Sequence, residues 1–176
     1  MNNPQHHVFI LMGVSGSGKS AVANAVAHEL NAAMLDGDYL HPRGNINKMA
    51  GGHALNDDDR APWLAALNDA IFAMQRTNDV ALLVCSALKK RYRDRLREGN
   101  SNLHFIYLEG EKEVIEARLK QRKGHFFKPQ MLVSQFEALE VPQADESDVQ
   151  AIDIDQPLDN VVADVVSHIQ SVTNQG

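Results

Sequence analysis

Residues 13–20 read GVSGSGKS and fit the pattern G-x-x-x-x-G-K-[ST] in full, with Gly13, Gly18, Lys19 and Ser20 at its fixed positions. Glycine lets a backbone fold around an anion with its N–H groups pointing inward. The first turn of a following helix adds a partial positive charge. In such a loop Lys19 reaches the β- and γ-phosphates of a nucleoside triphosphate, and the Ser20 hydroxyl suits Mg²⁺. Val14, Ser15, Gly16 and Ser17 fill the loop between the fixed positions. A glycine-rich turn with a surface lysine is the plainer alternative. The apolar run VFILM before the loop and the helical pattern AVANAVAHEL after it supply the strand–loop–helix context that favours the phosphate cradle.

Triphosphate binding alone does not define an activity, since switch GTPases, ATPases and small-molecule kinases share this loop. A guanine-reading Asn-Lys-x-Asp element is absent, because Asn47-Lys48 is followed by Met49-Ala50. The apolar run at 80–85 ends in Cys85-Ser86 and not in the acidic residue usual beside an ATPase cradle. Carboxylates appear instead in LDGD at 35–38, where Asp36 and Asp38 flank Gly37. In an extended segment, residues two apart point the same way, so both can face one cleft. One can hold Mg²⁺ through water and the other accept a proton from an attacking hydroxyl. Asp-Gly is also a common turn signal, so either carboxylate can instead cap a turn.

The elements that position these groups are legible as apolar patterns. Short apolar runs at 8–12, 33–35, 80–85, 103–108 and 151–154 read as strands, several of them buried on both faces as in parallel sheets. Helical stripes lie between them: Val22, Val26 and Leu30; Trp63, Leu64, Leu67 and Ile71; Val114, Ile115 and Leu119; and Val161, Val162, Val165, Val166 and Ile169. Strand alternating with helix predicts an α/β sheet with right-handed crossovers. Two polar stretches interrupt the alternation, 36–62 and RKGHFFKPQM at 122–131, and long polar segments of this kind are often lids or binding loops.

The chain has 176 residues, which suggests one domain over 1–176. Its net charge of −6 disfavours nucleic acid and anionic membrane as partners. The only cysteine, Cys85, sits in an apolar run, so no internal disulfide is possible and a reducing, cytoplasmic location is expected. No apolar stretch approaches the ~20 residues of a membrane span. The run KKRYRDRLR at 89–97 carries six basic residues, but little aromatic character beyond Tyr92, so it reads mainly as a solvated helix face with ion pairs to Asp94 and Glu98.

MGVSGSGKS, LDGDYLHP at 35–42, LNDDDRAPWL at 55–64, CSALKKRYRDRLR at 85–97 and GHFFKPQMLVSQFEAL at 124–139 together resemble the bacterial gluconokinase family, P-loop kinases similar to shikimate kinase. The resemblance covers nearly the whole chain. It implies a three-layer α/β/α fold with a five-stranded parallel sheet in the order 2-3-1-4-5, a substrate region at about 36–75 and a lid at about 120–135. It implies ATP-dependent phosphorylation of D-gluconate with Mg²⁺, and commonly a homodimer.

That chemistry sorts the remaining residues. A sugar acid needs a cation for its carboxylate and hydrogen-bonding partners for its hydroxyls. Asp36, Asp38, His41, Asn56, Asp57, Asp58 and Asp59 can bind hydroxyls, while Arg43 and Arg60 can fork a carboxylate. The resemblance favours Arg60 for the carboxylate and Asp38 as general base, and of the carboxylate pair Asp36 is then the water-mediated Mg²⁺ partner. Helix capping accounts equally for Asp57–Asp59. Ser86 and Lys89 follow the third strand and fall at the cleft mouth, against sugar acid or phosphoryl group. By resemblance Arg118 and Arg122, one helical turn apart before the lid, serve adenine and phosphates, with Arg122 near the transferring group. Lys123, His125 and Lys128 can sweep over the phosphates, and His125, Phe126 and Phe127 read more as the packing of a closing lid than as acid–base groups. Gln156 and Pro157 follow the fifth strand, beside the adenine by the same resemblance. Cys85 reads as a core residue, not a nucleophile.

Overall fold

The computed structural model describes residues 6–121 and 129–174. Its strands are β1 (His7–Met12), β2 (Ala33–Asp36), β3 (Val80–Val84), β4 (Leu103–Glu109) and β5 (Val149–Asp153). They form one sheet in the order β2-β3-β1-β4-β5, and every neighbouring pair is parallel. The helices are α1 (Lys19–Leu30), α2 (Arg43–Ala50), α3 (Asp57–Thr77), α4 (Lys90–Arg97), α5 (Lys112–Gln121), α6 (Pro129–Ala138) and α7 (Leu158–Thr173). Among the described residues, no helix is long and apolar enough to cross a membrane.

The period of two along each strand divides the core. Phe9 and Leu11 of β1, Leu82 and Val84 of β3, and Ile106 and Leu108 of β4 face α1 and α7, meeting Val22, Val26, Val161, Val165 and Ile169. Val8, Ile10, Met12, Ala81, Leu83, Phe105 and Tyr107 face the other way, onto Trp63, Leu64, Leu67 and Ile71 of α3 and Tyr92 and Leu96 of α4. The central strands are covered on both sides, which is why they read as unbroken apolar runs. Leu67, Ile71 and Leu83 are fully buried, and truncating any of them to alanine costs about 2–5 kcal/mol.

Two boundaries differ from the sequence pattern. β5 starts at Val149 and not at 151, because an edge strand with exposed Gln150 and Ala151 carries no apolar run to mark its start. The polar stretch 36–62 is more ordered than its composition suggests. It holds a short 3-10 turn at Gly37–Leu40, then α2, then the first turns of α3. α2 escapes a periodicity search because its apolar residues, Ile46 and Met49, are exposed and its buried residue is Asn45. α3 opens with a reciprocal cap: Asp59 N–H donates to Asn56 Oδ1 at 2.8 Å and Asn56 N–H to Asp59 Oδ2 at 2.9 Å. The capping account therefore holds for Asp59.

The basic run on α4 is corrected by the structure. Lys90–Asp94, Arg97–Asp94 and Arg95–Glu98 are surface pairs as expected. Arg93 is not on a solvated face: it is completely buried against Glu146.

Candidate active site

The loops at the carboxyl ends of the five strands converge, as open parallel sheets place their ligand sites. The cradle follows β1. Gly13 has φ 146°, and a Cβ there would lie 3.0 Å from the Leu108 carbonyl oxygen and 2.9 Å from Ser17 Oγ. At Gly16, φ 84°, a Cβ would meet the Leu119 side chain at 2.7 Å, so α5 packs directly on the loop. Lys19 folds along the loop, its Nζ donating to Gly13 O at 2.9 Å and Val14 O at 3.0 Å. Ser17 Oγ is buried and has no hydrogen-bond partner among the described residues. An unpartnered buried hydroxyl, a lysine laid over main chain and a loop too tight for side chains suit a phosphate group. Ser20 is exposed in the first turn of α1, open to a cation held by such a phosphate.

One contact to the cradle has no signal in the sequence. Ser15 N–H donates to Gln135 of α6 at 3.0 Å, and since a backbone N–H only donates, the amide oxygen is the atom that faces it. A single glutamine on a helix belongs to no pattern that sequence reading could have caught.

Past β2 the expected geometry is revised. Residues 36–38 are not extended: Asp36 ends the strand and caps the 3-10 turn, accepting from Asp38 N–H at 3.0 Å. The turn is possible because Gly37 fits under β3, where a Cβ would lie 2.6 Å from Val84 O. Asp38 stands exposed at the cleft mouth. Partial desolvation, then the neighbouring Asp36 charge, raise its pKa above the ordinary carboxylate value, against the opposing pull of Lys19 and His41.

His41 stacks on Trp63 with ring centroids 4.2 Å apart, and Trp63 Nε1–H donates to Gly37 O at 2.8 Å, so one tryptophan fixes both the turn and the histidine. The buried Asn45 amide donates to Asp59 O at 2.8 Å, and its nitrogen is 3.2 Å from His41 Nδ1. His41 Nδ1 is therefore the acceptor and Nε2 carries the proton, free to meet a hydroxyl. Burial lowers the His41 pKa; Asp38 opposes this and Arg60 adds to it, so the ring is neutral at neutral pH.

Arg60, Lys89 and Arg91 surround the Tyr92 ring, with their charged groups 5.6, 5.9 and 5.5 Å from its centroid. Tyr92 O–H donates to Asp57 Oδ1 at 2.7 Å and accepts from Arg60 Nη1 at 3.2 Å. Arg91 reaches Asp57 Oδ2 at 2.5 Å. The tyrosine bond holds the Asp57 carboxyl below its usual range; desolvation opposes it, and the Arg91, Lys89 and Arg60 charges reinforce it. The site thus gathers Asp38, His41, Arg60 and Lys89. Ser86 is tied to the cradle, its carbonyl accepting from Gly13 N–H at 3.2 Å. Arg43 is not brought in: it is the exposed first residue of α2 and is not among the charges felt by Asp38 or His41. Cys85 is fully buried, its thiol pushed up to about 12 by desolvation, and stays protonated in the core.

At the far side, Arg118 of α5 donates to the carbonyls of Ile154 and Gln156, clasping the loop after β5. Beside it an open depression of about 380 Å³ is lined by Glu113, Val114, Ala117, Arg118, Gln121 and Asp155. Gln156 turns its amide to Asp153 O and Asp164 Oδ2, both at 2.8 Å, and Pro157 precedes α7. Arg122, Lys123, His125, Phe126, Phe127 and Lys128 lie outside the described residues.

A parallel α/β/α sheet in this order, with a lysine-bearing cradle after β1 and a carboxylate after β2, defines a P-loop kinase. The AAA domain family matches residues 8–140. The thermoresistant gluconokinase of Escherichia coli K12 is 70% identical over 168 residues, covering 96% of each chain. The crystal structure of a gluconokinase from Sinorhizobium meliloti 1021 superposes with a TM-score of 0.85 at 38% identity, covering 99% of this chain and 97% of that one. Shikimate kinase from Aquifex aeolicus shares the fold at a TM-score of 0.58 and 17% identity, covering 96% of this chain and 99% of that one. The chain belongs to the gluconokinase family.

Proposed function

We propose that the chain transfers the γ-phosphoryl group of ATP to D-gluconate, giving 6-phospho-D-gluconate. The observation that carries this reading is one cleft in which the Asp38 carboxylate feels both Lys19 of the cradle and His41, while His41 feels Arg60. Donor and acceptor groups are thus within electrostatic reach of one another.

In this reading the cradle residues Gly13, Val14, Ser15, Gly16, Ser17 and Gly18 hold the phosphates through main chain, and Lys19 neutralises charge on the transferring group. The Ser20 hydroxyl and, through water, Asp36 would hold Mg²⁺, which would supply further charge neutralisation on the phosphates. Asp38 takes the proton of the attacking primary hydroxyl. Its raised pKa makes it a better proton acceptor, and Asp36, already bonded to Asp38 N–H, is less suited to that part. Arg60 and Lys89 bind the carboxylate, and His41 Nε2–H and Ser86 bind hydroxyls. Arg118, with Arg122, and the main chain at Gln156 and Pro157 hold the nucleotide. A single domain and a cytoplasmic setting, expected from chain length and composition, and a homodimer, expected from the family resemblance, belong to the same reading; light scattering in solution tests the last.

A coupled assay of ADP release over a panel of gluconate, shikimate, a nucleoside monophosphate and no acceptor tests the substrate. Turnover that requires gluconate is expected. Equal turnover without an acceptor, or with shikimate in place of gluconate, rules the assignment out.

A further inference from the structure

α4 carries a charged side chain that the chemistry above leaves unused. Arg93 is 0% exposed. Its Nε and Nη2 grip the two oxygens of Glu146 at 2.7 and 2.8 Å, Nη1 donates to Ala87 O at 2.7 Å and Nη2 also to Glu140 O at 2.9 Å. Glu146 is buried too, and Arg97 donates to it at 2.9 Å. A buried ion pair gives up the hydration of both charges, so it is a poor device for stability alone. What the planar fork does provide is direction, fixing two main-chain carbonyls against one carboxylate.

Those carbonyls are placed where alignment matters. Ala87 lies between β3 and α4 with φ 46°, a region that residues other than glycine avoid unless their surroundings hold them there. Just before it, the Ser86 carbonyl binds Gly13 of the cradle, and just after it Lys89 stands over Tyr92. Glu140 follows α6, the helix whose Gln135 holds Ser15 N–H. Glu140 N–H donates to Leu88 O at 2.7 Å, and its Oε1 accepts from Lys90 N–H at 2.7 Å. Segments 86–90 and 140–146 are therefore bonded to each other around one guanidinium, between the donor cradle and the acceptor cluster.

We propose that Arg93 is a positioning residue for phosphotransfer: through the Ala87 and Glu140 carbonyls it holds 86–89 in the conformation that aligns Ser86 and Lys89 with the cradle. This rests on the reading of Ser86 and Lys89 as acceptor contacts.

The test compares the full-length wild type with Arg93→Lys, Glu146→Gln and the apolar double variant Arg93→Met/Glu146→Leu. Melting temperature, KM for ATP, KM for gluconate and kcat are measured for each. Arg93→Lys keeps the charge but cannot span the carboxylate and both carbonyls. It is expected to lower kcat/KM for gluconate by between about tenfold and a hundredfold, with KM for ATP within about twofold. The double variant is expected to melt near the wild type and show the same acceptor defect, because methionine cannot hold the carbonyls. Wild-type kinetics in a double variant that melts like the wild type overturn the proposal. So does a loss in Arg93→Lys that falls equally on both substrates, or one that tracks melting temperature across the series. Should the double variant not fold, Arg93→Lys and Glu146→Gln decide by the same split. A wild type inactive on gluconate refutes the substrate assignment instead, and the comparison then runs with whichever acceptor in the panel turns over.

Discussion

The donor loop at 13–20 and the acceptor region at 36–60 sit in one cleft but are built by different means. The cradle is made of main chain, with one lysine laid across it, and its shape follows from glycines that admit no side chain. The acceptor region is made of side chains held by other side chains: His41 by Trp63 and Asn45, Arg60 by Tyr92, Tyr92 by Asp57. The first kind of site depends on a few fixed residue types at fixed spacing. The second depends on partners scattered from Gly37 to Tyr92.

The largest expected effect tests the donor side. Lys19→Ala removes the one charged side chain of the cradle and is expected to lower kcat by at least about 10³-fold, with the melting temperature almost unchanged. Residual turnover within tenfold of wild type would mean that the main chain alone carries the transfer. Asp38→Asn comes next on the acceptor side. A lost general base costs roughly 10²–10⁴-fold in kcat, while ATP affinity measured by calorimetry stays the same. The base must be ionised to work, so in the wild type activity falls as the pH drops through the Asp38 pKa. Because that pKa is raised, the acid limb of kcat/KM is expected above the ordinary carboxylate range. Arg60→Ala should have a smaller and more selective effect. Losing a charged hydrogen-bond donor of about 1.5–3 kcal/mol raises KM for gluconate by roughly ten- to a hundredfold and leaves KM for ATP alone. A rise in KM for ATP instead would move Arg60 to the donor half.

The same contrast explains what the sequence could show. GVSGSGKS, the apolar strands and the stripes at 63–71 and 161–169 are local patterns, and the α/β alternation follows from them; the strand order is what the family resemblance implies. Asp38, His41, Arg60 and Lys89 were legible because their residue types suit a polyol acid. Their supports were not. Asn45 is buried on a helix with no apolar stripe, and Gln135 reaches the cradle from 120 residues away. Arg93 lies hidden in a basic run because nothing local marks which of the four arginines of KKRYRDRLR turns inward; its partner Glu146 is 53 residues further on. Asp36 and Asp38 were expected on one extended face, and the 3-10 turn that replaces it depends on the close approach of Gly37 to β3.

The smallest effect on catalysis is expected at the opposite end of the sheet, where β1 and β4 begin. His7 Nδ1 lies 3.0 Å from His104 Nε2, and the His104 ring stacks on Phe9 with centroids 4.8 Å apart. Burial, then the nearby His7 and His168, push the His104 pKa down to about 4, with Asp148 pulling weakly the other way; burial lowers His7 and His168 as well. In the unfolded chain these rings titrate near 6.5. Between about pH 6.5 and 4 the unfolded state therefore binds more protons than the folded one. Stability contributed by the neutral rings is present above that window and is lost as the pH falls through it. Calorimetric melting temperatures taken from pH 7 to pH 5 should fall steadily. His104→Phe, which keeps the stack on Phe9 but cannot take up a proton, should flatten that slope and leave kcat at pH 7 unchanged, since its ring partners His7 and Phe9 lie on β1, away from the cradle and the acceptor cluster. An unaltered slope in the variant would assign the acid sensitivity in this range to the neighbouring rings that burial also lowers, His7 and His168.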